Sequence, residues 1–257
     1  YEMFNGCRNL RTLDVSSWDT SSVTDVYQMF TDCALLNNLD VSGWDVSSIG
    51  RFEQMFTRCY SLSSLDVSSW DTSSGNNFYS MFNSCYALEN LDVYSWDVTN
   101  VTTSTNGFNS MFAACYSLQS IDLSNWDISN FTGTNGLSYF LNGCYSLRST
   151  GDLSNFVGSN IKKLDYMFSA CYSLRSVGDL SGWDVSGCTR MYRLFNYCGS
   201  LTSIGDLSSW DLSNVTSARE MFSACYSLES LGDLSSWSLA SMTEGLYFFG
   251  TTRNLRY

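Results

Sequence analysis

The chain has no histidine, and that absence removes much of enzyme chemistry at once. Neither a Ser-His-Asp nor a Cys-His arrangement can be assembled within it. Lysine occurs twice, at Lys162 and Lys163, and 25 Asp and Glu stand against 13 Lys and Arg, for a net charge of −12. Nucleic acid and anionic membrane surfaces both demand a basic patch, so neither is an expected partner, while cationic and neutral partners stay open. No stretch approaches the roughly 20 apolar residues of a membrane span, so this segment is not expected to insert into a membrane. No charged, then apolar, then small-residue leader is visible either. The 44% hydrophobic and 16% aromatic content, with 15% charged residues, predicts a chain that folds throughout rather than a disordered one.

What the chain has in abundance is repetition. A block of the form Met-Phe-x-x-Cys-Tyr-Ser-Leu-x-x-Leu-Asp-Val-Ser-x-Trp-Asp-x-Ser recurs from end to end. Cys7, Cys33, Cys59, Cys85, Cys115, Cys144, Cys171, Cys198 and Cys225 are spaced 26, 26, 26, 30, 29, 27, 27 and 27 residues apart, and Thr252 falls 27 after the last. Periods of this length mark solenoids. Residues 1–257 are therefore read as a single repeat solenoid, an excerpt of a longer chain that lacks its terminal caps, because it opens and stops in mid-repeat.

In one copy, Leu39 and Val41 alternate with Asp40 and Ser42, the period of a half-buried strand. Ile49, Phe52, Met55, Phe56 and Cys59 then recur at three-to-four spacing, which predicts the apolar face of a short helix capped by Asp45, Ser47 or Ser48. The expected fold is an α/β solenoid: a right-handed stack of about nine 26–30-residue units, with a parallel β-sheet on one face and short helices on the other. Gly151, Gly178, Gly205 and Gly232 enter before the strand Asp and read as a bulge. Thr103 to Gly107 and Gly133 to Gly136 read as insertions that protrude.

The frame Leu-x-x-Leu-Asp-Leu-Ser-x-Trp-Asp-x-Ser-x-Val-Thr, followed by Met-Phe-x-x-Cys, resembles the BspA-type leucine-rich-repeat surface proteins, a repeat also found in mycoplasma lipoproteins. Ser208 through Cys225 carry the best match. The resemblance implies display outside the cell and adhesion to host or neighbouring-cell molecules, with phage and protist members too, and it brings no catalytic residues.

Two columns are the candidate binding sites. The strand carboxylates Asp14, Asp40, Asp66, Asp92, Asp122, Asp152, Asp179, Asp206 and Asp233 would stack about 5 Å apart, repelling by roughly a kcal/mol per pair. Relief is expected from the neighbouring serines, from backbone donors and from raised pKa values in some members; the functional alternative is calcium or a cationic ligand. Tyr60, Tyr86, Tyr116, Tyr145, Tyr172 and Tyr226 would form an aromatic column, either packing on itself or meeting sugar rings or a partner. The cysteines read as free buried thiols ahead of disulfides or a metal site, since no C-x-x-C pair occurs. The Trp column, with Phe156 as its substitute, belongs to the core, and each indole N–H needs an acceptor. Asn100, Asn130 and Asn214 head sequons and are read as helix-start hydrogen-bonders.

The sequence therefore predicts a non-enzymatic adhesion or recognition solenoid, extracellular or on a cell surface. It would bind an unidentified protein or glycan through its strand face, with self-assembly open and no cofactor. The column Arg11, Asn37, Ser63, Glu89, Gln119, Arg148, Arg175, Thr202, Glu229 would tune what otherwise repeats. A structural spacer in a virion or extracellular filament, suggested by matching segments at Arg8 to Arg11 and Arg253 to Arg256, and a calcium-stabilised surface protein are the alternatives.

Overall fold

A computed structural model describes residues 1–154, 156 and 160–252; the Arg253 to Arg256 segment lies outside them. Successive copies stack coil on coil, in register. One file of parallel bridges pairs Thr12 with Asn38, and from Ser64 it runs unbroken through Asn90, Ser120, Ser149 and Ser176. A second file links Asp25, Arg51 and Asn77, and resumes through Lys163, Arg190, Ser217 and Glu244. The expected sheet is thus a narrow parallel ladder: each coil contributes a single bridged residue to a file before it turns.

The expected short helices are not formed. Among the described residues the helical segments are two single-turn 3-10 helices, Leu180–Gly182 and Leu234–Ser236. Where a helix was predicted, residues 52–59 make a chain of tight turns. Within the coil, the Met55 N–H donates to the Phe52 carbonyl and the Cys59 N–H to that of Phe56. The alternate amides leave the coil altogether: those of Phe52, Gln54, Phe56 and Arg58 donate to the carbonyls of Asn77, Tyr79, Met81 and Asn83 on the next coil, at 2.8–2.9 Å. An α-helix would keep these donors to itself. The arrangement requires left-handed backbone at the third residue of two turns in each copy, as in a type II turn. Gln54 and Arg58 have φ of +57° and +60°, and Ser80 with Ser84, or Glu220 with Ala224, repeat the pattern. Such strain in non-glycine residues persists only where the surroundings over-determine it, and here the axial hydrogen bonds do so. Asp45 accordingly caps no helix; its carboxylate accepts from the Ser47 N–H and hydroxyl in a local turn.

Inside the coils the columns become stacks. Phe30, Phe56, Phe82 and Phe112 lie face to face with ring centroids 5.6–5.7 Å apart, and Trp70, Trp96 and Trp126 do the same at 6.0 and 6.4 Å. All of these rings are buried. From Trp44 onward each indole finds its acceptor one coil back: Trp44 donates to the Val15 carbonyl, Trp70 to Val41 and Trp96 to Val67, at 3.0–3.1 Å. The Val41 carbonyl also accepts the Trp44 amide of its own coil, so one oxygen serves two coils. Where Phe140-Leu141 replaces Met-Phe and Phe156 replaces Trp, the rings tilt: Phe140 meets Phe112 edge-on and Phe156 at 34°. All three side chains stay buried, a swap of volume within the core.

The two insertions stack on one another. The Thr132 amide donates to the Thr102 carbonyl and that of Asn135 to Thr105, and a Cβ at Gly133 would lie 2.4 Å from the Phe131 ring. The later glycines have a specific cause: Gly205 has φ +88°, and a Cβ there would come within 1.9 Å of the Asp179 carboxylate of the preceding coil.

Two substitutions test this account in thermal or denaturant unfolding. Gly205→Ala should destabilise by about 1–3 kcal/mol, and part of that loss should return when Asp179→Ala removes the clash. Trp96→Ala should cost about 3–5 kcal/mol, whereas Trp96→Phe, which keeps the ring stack and loses the indole bond, should cost markedly less.

Candidate functional site on the ladder face

The ladder face begins at each repeat cysteine. The next residue is usually tyrosine, two positions later a Leu turns inward, and the chain then exposes the variable residue, the bridged residue and the carboxylate, with a second Leu buried between the last two. All nine sequence-predicted carboxylates, Asp14 through Asp233, are exposed on this face. Between Asn38 and Asp92 the face holds a shallow groove of about 480 Å³, lined by Asn38, Ser64, Asn90, Asp40, Asp66 and Asp92 with Leu39, Leu65 and Leu91 as its floor.

The carboxylates answer mutual repulsion locally, each within its own coil. Asp14, Asp40, Asp66 and Asp122 each accept both the backbone N–H and the hydroxyl of the serine two residues on, at 3.0–3.1 and 2.7 Å. Asp152, Asp179, Asp206 and Asp233 accept the N–H of Ser154, Ser181, Ser208 and Ser235 at 2.9 Å, and Asp92 that of Tyr94 at 3.1 Å. The sequence suggested raised pKa values for some members. Instead the Ser16 and Ser68 hydroxyls and amides hold Asp14 and Asp66 below the usual carboxylate value, and the Ser235 amide and hydroxyl do the same for Asp233. These side chains are exposed, so hydrogen bonding to the ionised form outweighs desolvation.

Sequence reasoning missed a second carboxylate file, although the signal, Asp-x-Ser or Asp-x-Thr straight after tryptophan, was on view in most copies. Asp19, Asp45, Asp71, Asp97, Asp127, Asp184 and Asp211 accept the amides of Ser21, Ser47, Ser73, Thr99, Ser129, Ser186 and Ser213 in the same geometry. Hydrogen bonding again holds Asp45 and Asp71 low, against the repulsion of the Asp one coil before. Neither file gathers ligands around a point: among the described residues no group of three or more Cys, Asp or Glu is placed to hold a metal ion.

The tyrosine column is a true stack. Ring centroids are 4.6 Å apart for Tyr60 and Tyr86, 4.4 Å for Tyr86 and Tyr116, 4.5 Å for Tyr116 and Tyr145, and 5.1 Å for Tyr145 and Tyr172. Rings that cover one another's faces offer edges and hydroxyls to solvent, so stacking of a sugar ring on tyrosine faces is closed off along this run. Burial, then the neighbouring Tyr86 and Tyr145, push the Tyr116 phenol up to about 12. The stack breaks where Gly199 occupies the tyrosine slot: Tyr197 meets Tyr172 edge-on at 6.3 Å, and Tyr226 lies against the Gly199 backbone.

The ten cysteines are free, and all but Cys7 are buried. The thiols of Cys33, Cys59, Cys85, Cys115 and Cys144 donate to the carbonyls of Phe4, Phe30, Phe56, Phe82 and Phe112 one coil back, each at 3.2 Å. Burial pushes Cys33, Cys115 and Cys171 up to about 12. The sequon asparagines start no helix; Asn100 and Asn214 donate to the Ser74 and Ser186 carbonyls of the preceding coil at 3.1 and 2.9 Å. Asp165, on the lateral face, is buried; that raises its pKa, although the Tyr192 amide and Arg190, 3.0 Å away, pull it down. No helix of the described residues is long and apolar enough to cross a membrane.

Parallel files between identical slots, a Leu-x-x-Leu frame on the bridged side and a buried core between bridge and turns define a tandem-repeat solenoid of the leucine-rich-repeat type. The chain belongs to the family described as "Mycoplasma protein of unknown function, DUF285", matched over residues 1–110, 90–174 and 135–256. No curated protein matches the sequence. Among solved structures it is similar to a leucine-rich repeat protein from Bacteroides ovatus, at 17% identity over 93% of this chain and 76% of that one, TM-score 0.28. It is also similar to a leucine-rich repeat protein from Eubacterium ventriosum, at 16% identity over 95% and 79%, TM-score 0.41. A leucine rich cell surface protein from Faecalibacterium prausnitzii is matched at 16% identity over 92% and 77%, TM-score 0.29. The class rests on the bridge files and the repeat frame rather than on these distant likenesses.

Two measurements follow. With a thiol-reactive disulfide reagent near pH 8, the native protein should release signal from Cys7 alone, and the other nine cysteines should react only on unfolding; fast titration of several thiols would contradict the buried ladder. Because Asp14, Asp45, Asp66 and Asp71 are held below the ordinary value of 3.8, the stability they contribute is present above that pH and is lost as pH falls through their lowered folded values. Asp165 works in the opposite sense as a single offset. Melting temperature should therefore fall on acidification below about pH 4.

Proposed function

We propose that this chain is a non-enzymatic recognition solenoid, displayed outside the cell or on its surface, which adheres to a protein or glycan through the ladder face. One observation carries the reading. The slot filled by Arg11, Asn37, Ser63, Glu89, Gln119, Arg148, Arg175, Thr202 and Glu229 is exposed in every copy, and from Glu89 to Glu229 each slot amide donates to the carbonyl of the slot residue one coil before, which holds the row at a fixed offset. The slots around it repeat. A rigid row that changes chemistry from coil to coil reads a partner without any moving part, and loops or rigid scaffolds of this kind are where binding residues concentrate. Shallow relief, with polar groups and tyrosine edges rather than a deep apolar pocket, suits an extended ligand over a small molecule.

The test uses the labelled full chain on intact host-type cells and on immobilised matrix proteins and glycans. Asn38→Arg, Ser64→Arg and Asn90→Arg together, all on exposed bridged positions, should reduce attachment at least about tenfold while the melting temperature stays within a few degrees. Attachment unchanged by the triple substitution would refute ladder-face recognition.

A further inference from the structure

Arginines are scarce in this acidic chain, and their partners divide by face. On the lateral faces each sits against a carboxylate: Arg51 with Asp25 and Glu53, Arg58 with Asp32, Arg190 with Asp165, and both Arg193 and Arg219 with Glu220. On the ladder face, Arg148 and Arg175 have no acidic partner within ion-pair distance among the described residues, and both are exposed. They are also direct neighbours. The Arg175 amide donates to the Arg148 carbonyl at 3.1 Å, and Ser149 is bridged to Ser176, so the two side chains leave the ladder one coil step apart, about 4.8 Å. Gln119 precedes them in the column and Thr202 follows, both uncharged.

We infer that Arg148 and Arg175 form an anion clasp for a carboxylate-bearing sugar polymer, an inference that rests on the ladder-face reading above. Two guanidiniums on adjacent rungs grip one planar oxyanion from both sides, which is the geometry for which arginine is suited. The surroundings fix the rest of the ligand. Tyr145 and Tyr172, three residues before each arginine, are 39% and 47% exposed; Tyr145 is covered by Tyr116 and Tyr172, and Tyr172 ends the stack with the Tyr197 ring edge-on at 6.3 Å, so the pair offers chiefly edges and hydroxyls. Ser149 and Ser176 on the bridge file, and Ser146 and Ser173 beside the tyrosines, add further hydroxyls. Along this part of the face there is no exposed Trp and no exposed large aliphatic side chain: among the described residues the exposed large aliphatics are Met3, Leu239 and Leu246, all in the terminal coils. A clasp for anions with hydroxyls on its tyrosine side, and with the Asp152 and Asp179 carboxylates beyond the bridge file already engaged by the Ser154 and Ser181 amides, matches an acidic polysaccharide better than an acidic protein segment.

Isothermal titration of the full chain at low salt, with polygalacturonate, neutral dextran, dextran sulfate and poly-L-glutamate as probes, decides the matter. Polygalacturonate should bind, and R148Q/R175Q should weaken it by about tenfold or more with an unaltered melting curve, while K162Q, at an exposed cation outside the ladder-face column, leaves binding as it was. Dextran sulfate binding lost in the same variant extends the anion to sulfate sugars. Equal binding of neutral dextran, tighter binding of poly-L-glutamate than of polygalacturonate, no binding of polygalacturonate at all, or no effect of R148Q/R175Q would each overturn the clasp. If R148Q/R175Q binds polygalacturonate normally while the Asn38→Arg, Ser64→Arg, Asn90→Arg variant loses cell attachment, the clasp fails and ladder-face recognition survives.

Discussion

Every second amide of the Met-Phe segment points along the stacking axis, and the rest of the molecule is arranged around that fact. The Gln28, Phe30 and Asp32 amides reach the carbonyls of Glu53, Met55 and Thr57, and the same offset recurs up the stack. Donors that a helix would consume internally are spent on the next coil instead. This fixes the register of one copy on another. Register in turn places tryptophan over tryptophan, phenylalanine over phenylalanine and thiol over carbonyl.

Stacking of like on like has a different consequence for each residue type. Aromatic and aliphatic side chains gain contact, and the indole and thiol donors find acceptors that a single coil does not offer. Carboxylates gain repulsion, which the two Asp-x-Ser units of most copies counter with hydrogen bonds that stay inside the coil. Tyrosines gain stacking and lose access to their faces. The ladder face is therefore not a neutral platform carrying arbitrary side chains: the period itself decides which groups are left free to bind. Groups whose demand is met by the neighbouring coil are silent, and the informative positions are those that the stack leaves unmet. Arg148 and Arg175 are such positions.

The period, the columns and the core were legible in the sequence because each depends only on repetition. Leu39, Val41, Trp44, Phe52, Met55, Phe56 and Cys59 are all buried as their spacing implied, and the tryptophans' need for an acceptor followed from chemistry alone. The helices were misread because Ile49, Phe52, Met55, Phe56 and Cys59 satisfy three-to-four spacing equally well in stacked turns, whose apolar residues also recur once per turn. The contrary signal was faint. Left-handed residues such as Gln54, Arg58 and Ser84 carry none of glycine's mark, and only Gly6 and Gly143, in the slot before the cysteine, hint at it. The candidate carboxylate and tyrosine columns lie along the ladder face, as their slots in the repeat implied. What the sequence concealed is which members are satisfied, since that depends on side-chain partners two residues away or one coil back.

Removal of one whole period tests register stacking most directly. Deleting residues 33–58, which are 26 residues long, joins Asp32 to Cys59 and leaves every slot in phase. The shortened chain should unfold cooperatively, with a circular dichroism spectrum per residue matching the parent and a scattering profile shorter by one coil, about 4.8 Å. A shortened chain that is unfolded or aggregated, when the parent is folded under the same conditions, would contradict the account.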